Sequence, residues 1–237
     1  MQVHTQAVVL SAIKYAEADL IVTCYTKSDG IKTYHIRGVL KSKKGKFKTS
    51  SFIPFTILDI VANHRNKGRL EYLIETKINT PLIAVHTDML KSSLVMFLSE
   101  VVKSCIREEE ANPSLFEFLF ESIIMLDRLD SIANFHIYFM LELSKYLGFY
   151  PNIESKGGYF NLLEGVFQEE NYSSNCIRTP ASNVLFILIN NSHQTLDYPM
   201  SKGLRKELVL LLLKYYQLHI EGFRQPRSLK VLEQLFE

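Results

Sequence analysis

The sequence predicts an α+β fold with segregated elements, in which a small antiparallel β-barrel is followed by a helical domain. Three observations predict it. Short runs rich in Val, Ile, Thr and Leu occupy the first 80 residues, and from about residue 88 apolar residues recur at helical spacing. The charge changes in the same region. Residues 1–80 hold 13 Lys and Arg against 6 Asp and Glu, a net +7, whereas the remainder has a net charge of −5.

Length and composition fit one large or two small domains. With 237 residues, 47% of them hydrophobic and 22% charged, the chain can bury a sizeable core without disulfide support. Its three scattered cysteines, Cys24, Cys105 and Cys176, argue against a secreted disulfide framework and against a four-cysteine metal site. The N-terminus lacks the pattern of a signal peptide, and no apolar run approaches the roughly 20 residues that span a bilayer. We therefore expect a cytoplasmic protein without membrane attachment.

Five strands are predicted in the first 80 residues. The second and third are separated by the turn sequence Ser28-Asp29-Gly30, and the third alternates polar with apolar residues. The expected strands are His4–Ile13, Leu20–Thr26, Ile31–Leu40, Phe55–Val61 and Leu70–Ile78. Short strands at close spacing without intervening helices are typical of a small barrel, and this size matches an OB-fold. An SH3-like barrel is the alternative.

The rest of the chain is predicted to be helical. Leu94, Phe97, Leu98 and Val101 form one apolar face of a helix that begins near Asp88. Cap-plus-proline pairs and glycines delimit further helices at about 113–126, 131–147, from 180 onward, 201–220 and 228–236. Residues 149–178 lose this periodicity, which predicts an irregular excursion. The predicted domains are therefore 1–80 and 81–237.

A polar segment, residues 41–50, is the strongest candidate binding site. It offers flexible cations, a glycine that permits close approach and an aromatic ring: Lys41, Lys43, Lys44, Gly45, Lys46, Phe47 and Lys48. These groups suit a sugar-phosphate backbone with an unstacked base, and none of them reads base edges. Arg37 before the segment, and Arg65, Lys67 and Arg69 around a later turn, could extend the surface. The alternative is a solvated loop with Phe47 tucked into the barrel.

A second group of cations lies in the helical region. Lys202, Arg205 and Lys206 open one late helix, and Arg224 and Arg227 follow it. They are candidates for partner contacts or secondary DNA contacts. The alternative, favoured for amphipathic helices in general, is an ordinary solvated face.

The patterns expected of catalytic or metal sites do not occur. The seven histidines form no HxH or HExxH pattern, and the sequence lacks GxGxxG, GxxxxGK[ST] and GxSxG motifs. Cys105 falls on an apolar helical face, which indicates packing in the core. We therefore expect a non-enzymatic protein without a cofactor.

Several of these segments together resemble the RecO family of bacterial recombination mediators. The N-terminal part of the resemblance consists of Ala7-Val-Val-Leu10, Tyr15-Ala-Glu-Ala-Asp-Leu-Ile-Val22, Gly30, Arg37-Gly38-Val39, the lysine-rich loop and Pro54-Phe-Thr-Ile-Leu58. In the helical part, Tyr146-Leu-Gly-Phe149 and Leu204-Arg205 agree more loosely. One departure concerns a zinc-binding cysteine cluster that many members carry after the Leu-Gly-Phe segment. Here residues 150–159 contain no cysteine, so we expect no zinc site and hold that Tyr159, Phe160, Leu162 and Phe167 pack the excursion instead.

The resemblance implies a DNA repair function. It implies an N-terminal OB-fold, binding of single- and double-stranded DNA, strand annealing and association with the nucleoid. It also implies partnership with RecR and with single-stranded DNA-binding protein, so that RecA loads onto coated strands. A protein adaptor, whose barrel and helical domain bind repair partners with little direct DNA affinity, is the alternative.

Overall fold

The N-terminal strands form one antiparallel sheet, as their β-branched, alternating sequence predicts. The structure is a computed structural model, and it describes residues 1–41, 45–65, 70–107, 110–153 and 158–235, except the side chains at 193, 233 and 235. The sheet has the order β3-β2-β1-β4-β5. Its strands are β1 (Gln2–Tyr15), β2 (Asp19–Thr26), β3 (Gly30–Ile36), β4 (Ile57–Asn63) and β5 (Tyr72–Ile78).

The two outer strands of this sheet meet and close it. Tyr34 and Glu71 form a parallel bridge. The Glu71 N–H donates to the Thr33 carbonyl at 2.8 Å, and the His35 N–H donates to the Glu71 carbonyl at 3.1 Å. We term this junction the β3–β5 seam. It gives the cyclic strand order 1-2-3-5-4, and the predicted OB-like architecture is confirmed.

Seven α-helices follow among the described residues. Their bounds are α1 (Ala84–Thr87), α2 (Met89–Cys105), α3 (Pro113–Arg128), α4 (Phe135–Tyr146), α5 (Pro180–Asn190), α6 (Lys202–His219) and α7 (Leu229–Leu235). Asn112 accepts the Leu115 N–H at 3.0 Å and so caps α3 as expected, and Thr179 forms a capping box with Ser182 at α5. None of the helices searched in the described part of the chain is long and apolar enough to span a membrane.

Helix α4 begins later than the expected residue 131. The Asn134 side chain does not cap the helix, because its amide group donates to the carbonyls of Thr195, Leu196 and Tyr198 at 2.8–3.2 Å. The helix therefore starts at Phe135 without a side-chain cap from Asn134. This arrangement joins residues that are more than 60 positions apart in sequence, which local periodicity does not reveal.

The excursion is more regular than expected. Its described residues form four short strands in the order β6-β8-β7-β9: β6 (Asn152–Ile153), β7 (Tyr159–Asn161), β8 (Val166–Gln168) and β9 (Cys176–Ile177). Strands of two or three residues are too short to show an alternating pattern. Phe160, Leu162 and Phe167 are buried as expected, and the two phenyl rings stack with centroids 4.7 Å apart.

The chain divides into two compact units, the barrel unit (Met1–Arg128) and the helical unit (Leu129–Glu237). Helices α1 to α3 thus belong with the sheet. Val8 and Val9 are both fully buried because β1 is covered on both faces: Val9 lies in the barrel core, and α2 contacts the same strand. The domain boundary expected at residue 80 would separate the barrel from helices α1 to α3, and it stays a prediction.

Candidate nucleic-acid interface

Two predicted cations converge on an aromatic ring beside the β3–β5 seam. The guanidinium carbon of Arg37 lies 5.7 Å from the centre of the Tyr72 ring, and that of Arg65 lies 5.4 Å from it. Both arginines are exposed, and Tyr72 retains 37% of its accessible surface. We term Arg37, Arg65 and Tyr72 the seam cluster. It combines positive charge with an aromatic ring accessible to solvent.

The backbone near Arg37 is fixed by Asp19 at the start of β2. One carboxylate oxygen of Asp19 accepts the Gly38 N–H at 2.9 Å, and the other lies 2.7 Å from Nε2 of His35. These contacts, the Gly38 N–H first and the His35 side chain second, lower the pKa of Asp19. Gly38 has a φ of +68°, a left-handed conformation that favours glycine. Asp19 therefore contacts a residue before Arg37, His35, and a residue after it, Gly38.

The backbone of Arg65 is fixed by a buried carboxylate. Both oxygens of Glu71 accept the Arg65 N–H at 2.9 Å, and Glu71 is only 3% exposed. The preceding His64 is also buried, with Nε2 2.8 Å from the Tyr34 hydroxyl and Nδ1 3.1 Å from a carboxylate oxygen of Asp29. The seam thus anchors both ends of the segment between β4 and β5.

The lysine-rich segment contacts β5, the strand that carries Tyr72, and the residues between β1 and β2. Nζ of Lys46 is 3.7 Å from a carboxylate oxygen of Glu75 on β5, and Nζ of Lys41 is 2.9 Å from one of Glu17. All four side chains are more than half exposed, and such pairs contribute little stability. A phosphate group can therefore replace either carboxylate at small cost. Lys48 is also exposed.

Several predicted contact residues cannot be placed. Lys43 and Lys44, in the lysine-rich segment, and Lys67 and Arg69, between β4 and β5 in sequence, lie outside the described residues. Their proposed role in DNA binding stays a prediction.

Phe47 packs toward the interior. Its ring centre lies 6.2 Å from that of Phe52, and the side chain is partly buried against the barrel core. Phe52, 2% exposed, ends a short 3-10 helix, Thr49–Phe52. This geometry favours the alternative role of an anchor that ties the lysine-rich segment to the barrel, and a stacking role for Phe47 stays a prediction.

Tyr72 is a candidate site residue that the sequence does not reveal. Arg37 follows β3, far from Tyr72 in sequence, and approaches its ring only because the seam closes. The signal present in the sequence is the group Arg65, Lys67 and Arg69 shortly before Tyr72.

The second group of predicted cations is divided in the helical unit. Arg205 donates from Nε to the side-chain oxygen of Asn134 at 2.9 Å and from its terminal nitrogen to the Met200 carbonyl at 3.2 Å. Partial burial lowers the pKa of this guanidinium. Arg205 therefore supports the loop before α6. The other candidates are exposed on the same unit: Lys202, Lys206, Arg224 and Arg227.

Cys24 and Cys105 are suited to packing and not to nucleophilic chemistry. Burial raises the pKa of the Cys24 thiol to about 12 and also raises that of Cys105. Both thiols therefore stay protonated at neutral pH. Within the described ranges, no group of three or more His, Cys, Asp or Glu side chains is arranged to hold a metal ion.

Comparisons with known proteins agree with this architecture. Residues 1–81 match the family model of the recombination protein O N terminal, and residues 86–229 match that of its C terminal. The chain is 48% identical over 238 residues to DNA repair protein RecO of Christiangramia forsetii. It is 42% and 40% identical to the proteins of that name in Flavobacterium psychrophilum and Flavobacterium johnsoniae. Each alignment covers 100% of both chains. The chain therefore belongs to the RecO family of DNA repair proteins.

Proposed function

We propose that this protein is a DNA-binding recombination mediator whose barrel unit captures the sugar-phosphate backbone. The observation that carries the proposal is the convergence of Arg37 and Arg65 on Tyr72, together with the pairing of Lys46 with Glu75 of the same strand, β5. Exposed cations that neutralise phosphates release counterions, and this release drives binding. An OB-like barrel with basic and aromatic side chains is a common support for this task.

Binding is proposed to be largely independent of sequence. The described groups of the interface are guanidinium and ammonium groups on exposed side chains, which suit phosphate oxygens. Backbone contacts position a protein on DNA without reading bases. Both single- and double-stranded DNA present this backbone, so both are proposed ligands.

Strand annealing follows from the same chemistry. Two complementary strands repel each other through their phosphates, and cations bound to both reduce that repulsion. We further propose that the protein acts with RecR, displaces or remodels single-stranded DNA-binding protein and thereby promotes RecA loading. In the helical unit, the candidates for partner docking or secondary DNA contacts are Lys202, Arg205, Lys206, Arg224 and Arg227. The proposed location is the cytoplasm, in association with the nucleoid.

The proposed function needs no cofactor, and the proposal includes that the protein carries no zinc. Aromatic packing in the excursion, where Phe160 stacks on Phe167, supplies a core that does not depend on a metal. Stoichiometric zinc in the purified, untagged protein would contradict this part of the proposal.

The test is fluorescence anisotropy of labelled oligonucleotides titrated with the full chain across a salt series. We expect affinity to fall steeply with salt and to be largely lost in the triple variant Lys43→Glu, Lys44→Glu, Lys46→Glu. A matched control, Arg178→Glu, Lys214→Glu, Lys230→Glu, makes the same charge change at exposed positions of the helical unit that are not candidate contacts. It should retain most of the affinity.

The alternative function is a protein adaptor that binds repair partners with little direct DNA affinity. Absence of DNA binding by the wild-type protein at low salt would favour the adaptor and contradict the proposal. Equal losses in both triple variants would indicate that net charge, and not the barrel surface, determines affinity.

A further inference from the structure

We propose that Tyr72 is a stacking surface for an unpaired base, so that the seam cluster distinguishes single-stranded from double-stranded DNA. This inference rests on the proposed DNA binding and adds a specific contact to it. The phosphates explain why both kinds of DNA bind, and Tyr72 supplies an interaction that an intact duplex offers only weakly.

The position of the ring is fixed by the seam. Tyr72 is the first residue of β5 and directly follows Glu71, whose main chain is hydrogen-bonded to β3 and whose carboxylate holds the Arg65 N–H. Tyr72 is also paired with Asn63 of β4. A side chain on so constrained a backbone presents its ring with little loss of conformational entropy, which favours stacking.

Tyr72 lies on the outer surface of the sheet and not in the barrel core. Tyr25 and Tyr34 are 1% and 0% exposed, whereas Tyr15 and Tyr72 are 51% and 37% exposed. Tyr72 differs from a merely exposed tyrosine in having two guanidinium groups beside its ring. The same arrangement is well suited to a nucleotide, which joins a flat base to a charged phosphate.

When DNA binds, a base replaces a guanidinium group at the Tyr72 ring, and the two arginines favour this exchange. In the free protein both guanidinium groups lie within 6 Å of the Tyr72 ring centre, at 5.7 and 5.4 Å. When a base stacks on the ring, a guanidinium group can turn to the adjoining phosphate. A base–aromatic stack is worth more than an exposed cation–π contact, so the exchange is favourable.

Duplex DNA does not offer the same gain. Its bases are stacked and paired, and exposing one face costs the energy of unstacking. A duplex therefore gains the phosphate contacts alone. Removal of the ring should weaken binding of single strands and leave binding of duplex nearly unchanged.

The absence of tryptophan from the sequence makes a direct test possible. The variant Tyr72→Trp contains one tryptophan, since the natural chain has none. We expect its fluorescence to be quenched when an unlabelled oligothymidylate is added, and to change much less with a duplex of equal length at equal saturation. The control is Tyr172→Trp, at a 72% exposed position in the helical unit, which should not be quenched.

Affinities measured by anisotropy complete the test. Tyr72→Leu should lower single-strand affinity by roughly five- to a hundredfold and duplex affinity by less than about twofold. Tyr72→Phe, which keeps the ring, should preserve both. Thermal unfolding of each variant would verify that the fold is intact.

Two results would overturn the inference in distinguishable ways. If Tyr72→Trp binds single strands without quenching, and Tyr72→Leu weakens both ligands equally or neither, Tyr72 does not stack on a base and the proposed DNA binding stands. If the wild-type protein binds neither ligand at low salt, the proposed function fails and the stacking inference fails with it.

Discussion

Both carboxylate oxygens of Glu71 accept the main-chain N–H of Arg65, each at 2.9 Å. The same residue closes the barrel, because its own main chain bonds to Thr33 and His35 of β3. One buried residue therefore joins strand closure to the position of a candidate DNA contact. Loss of this carboxylate should affect stability and DNA binding together.

We predict that Glu71→Ala lowers the free energy of unfolding by about 1–3 kcal/mol, because the partly buried N–H of Arg65 loses its acceptor. It should also weaken single-strand binding, since Arg65 loses its fixed position. Urea unfolding followed by circular dichroism would measure the first effect. Glu75→Ala is the control on the same strand: its exposed pair with Lys46 should contribute less than about 1 kcal/mol. Equal stabilities of the two variants would contradict the proposed role of Glu71.

A second prediction concerns the carboxylates that pair with the lysine-rich segment. Glu75 competes with phosphate for Lys46, and Glu17 competes for Lys41. The double variant Glu17→Gln, Glu75→Gln should therefore bind DNA about two- to fivefold more tightly at low salt, with the gain disappearing at high salt. Anisotropy titrations would measure it. The matched control is Glu207→Gln, Glu221→Gln, which changes the net charge equally at exposed positions of the helical unit. An equal gain in this control would show a general charge effect.

The third prediction concerns acid stability. The pKa of Asp19 is lowered from its ordinary value of 3.8, chiefly by the Gly38 N–H and next by His35. A carboxyl whose pKa is lower in the folded state stabilises the fold fully above its unfolded pKa. That stabilisation is lost as the pH falls below about 4, through the lowered folded pKa.

Asp19→Asn should therefore destabilise the protein at neutral pH, and its effect should diminish progressively as the pH falls below about 4 and through the lowered folded pKa. Urea midpoints of the variant and the wild-type protein, measured across this range, would test it. The control is Asp130→Asn, at an exposed position of the helical unit. If the urea midpoints of Asp19→Asn and the wild-type protein differ by the same amount at every pH, Asp19 acts through its shape and not through its charge.

Local sequence patterns predicted the elements of the fold well. The turn at Ser28-Asp29-Gly30, the cap at Asn112 and the pair Thr179-Pro180 each mark a boundary that the structure contains. These features work through contacts between residues a few positions apart, so their chemistry is visible in the sequence itself. The expected strand and helix bounds differ from the observed ones mainly at their ends.

The features that local patterns did not reveal depend on contacts between distant residues. Tyr72 approaches Arg37 because the seam closes, and Arg205 bonds to Asn134 across 71 positions. The sequence leaves open whether Phe47 stacks on a base or tucks into the barrel, and the structure places its ring against the barrel core. The net positive charge of the barrel was thus predictable from the sequence. The placement of Arg37 and Arg65 around the Tyr72 ring was not, because it depends on the tertiary structure.

The last prediction concerns the packing that holds the excursion on α6. Gly165, between β7 and β8, has a φ of +71°, and a Cβ atom added there would lie 2.3 Å from the Tyr215 hydroxyl oxygen. That hydroxyl donates to the Phe149 carbonyl at 2.6 Å, so it cannot move without breaking a hydrogen bond. Gly165→Ala should therefore lower the free energy of unfolding by at least about 1–3 kcal/mol.

The loss of stability in Gly165→Ala has two potential causes, contact with the Tyr215 hydroxyl and backbone strain at Gly165. A matched control and a double variant separate them. Gly203 lies in the first turn of α6 with nothing within 4 Å of an added Cβ, and Gly203→Ala should be neutral or stabilising by up to about 1 kcal/mol. In a Tyr215→Phe background the clashing oxygen is absent, so Gly165→Ala should cost less than it does in the wild-type protein. Thermal and urea unfolding of the four proteins in this cycle would measure the coupling. Additive effects would mean that backbone strain at Gly165, and not contact with Tyr215, accounts for the loss.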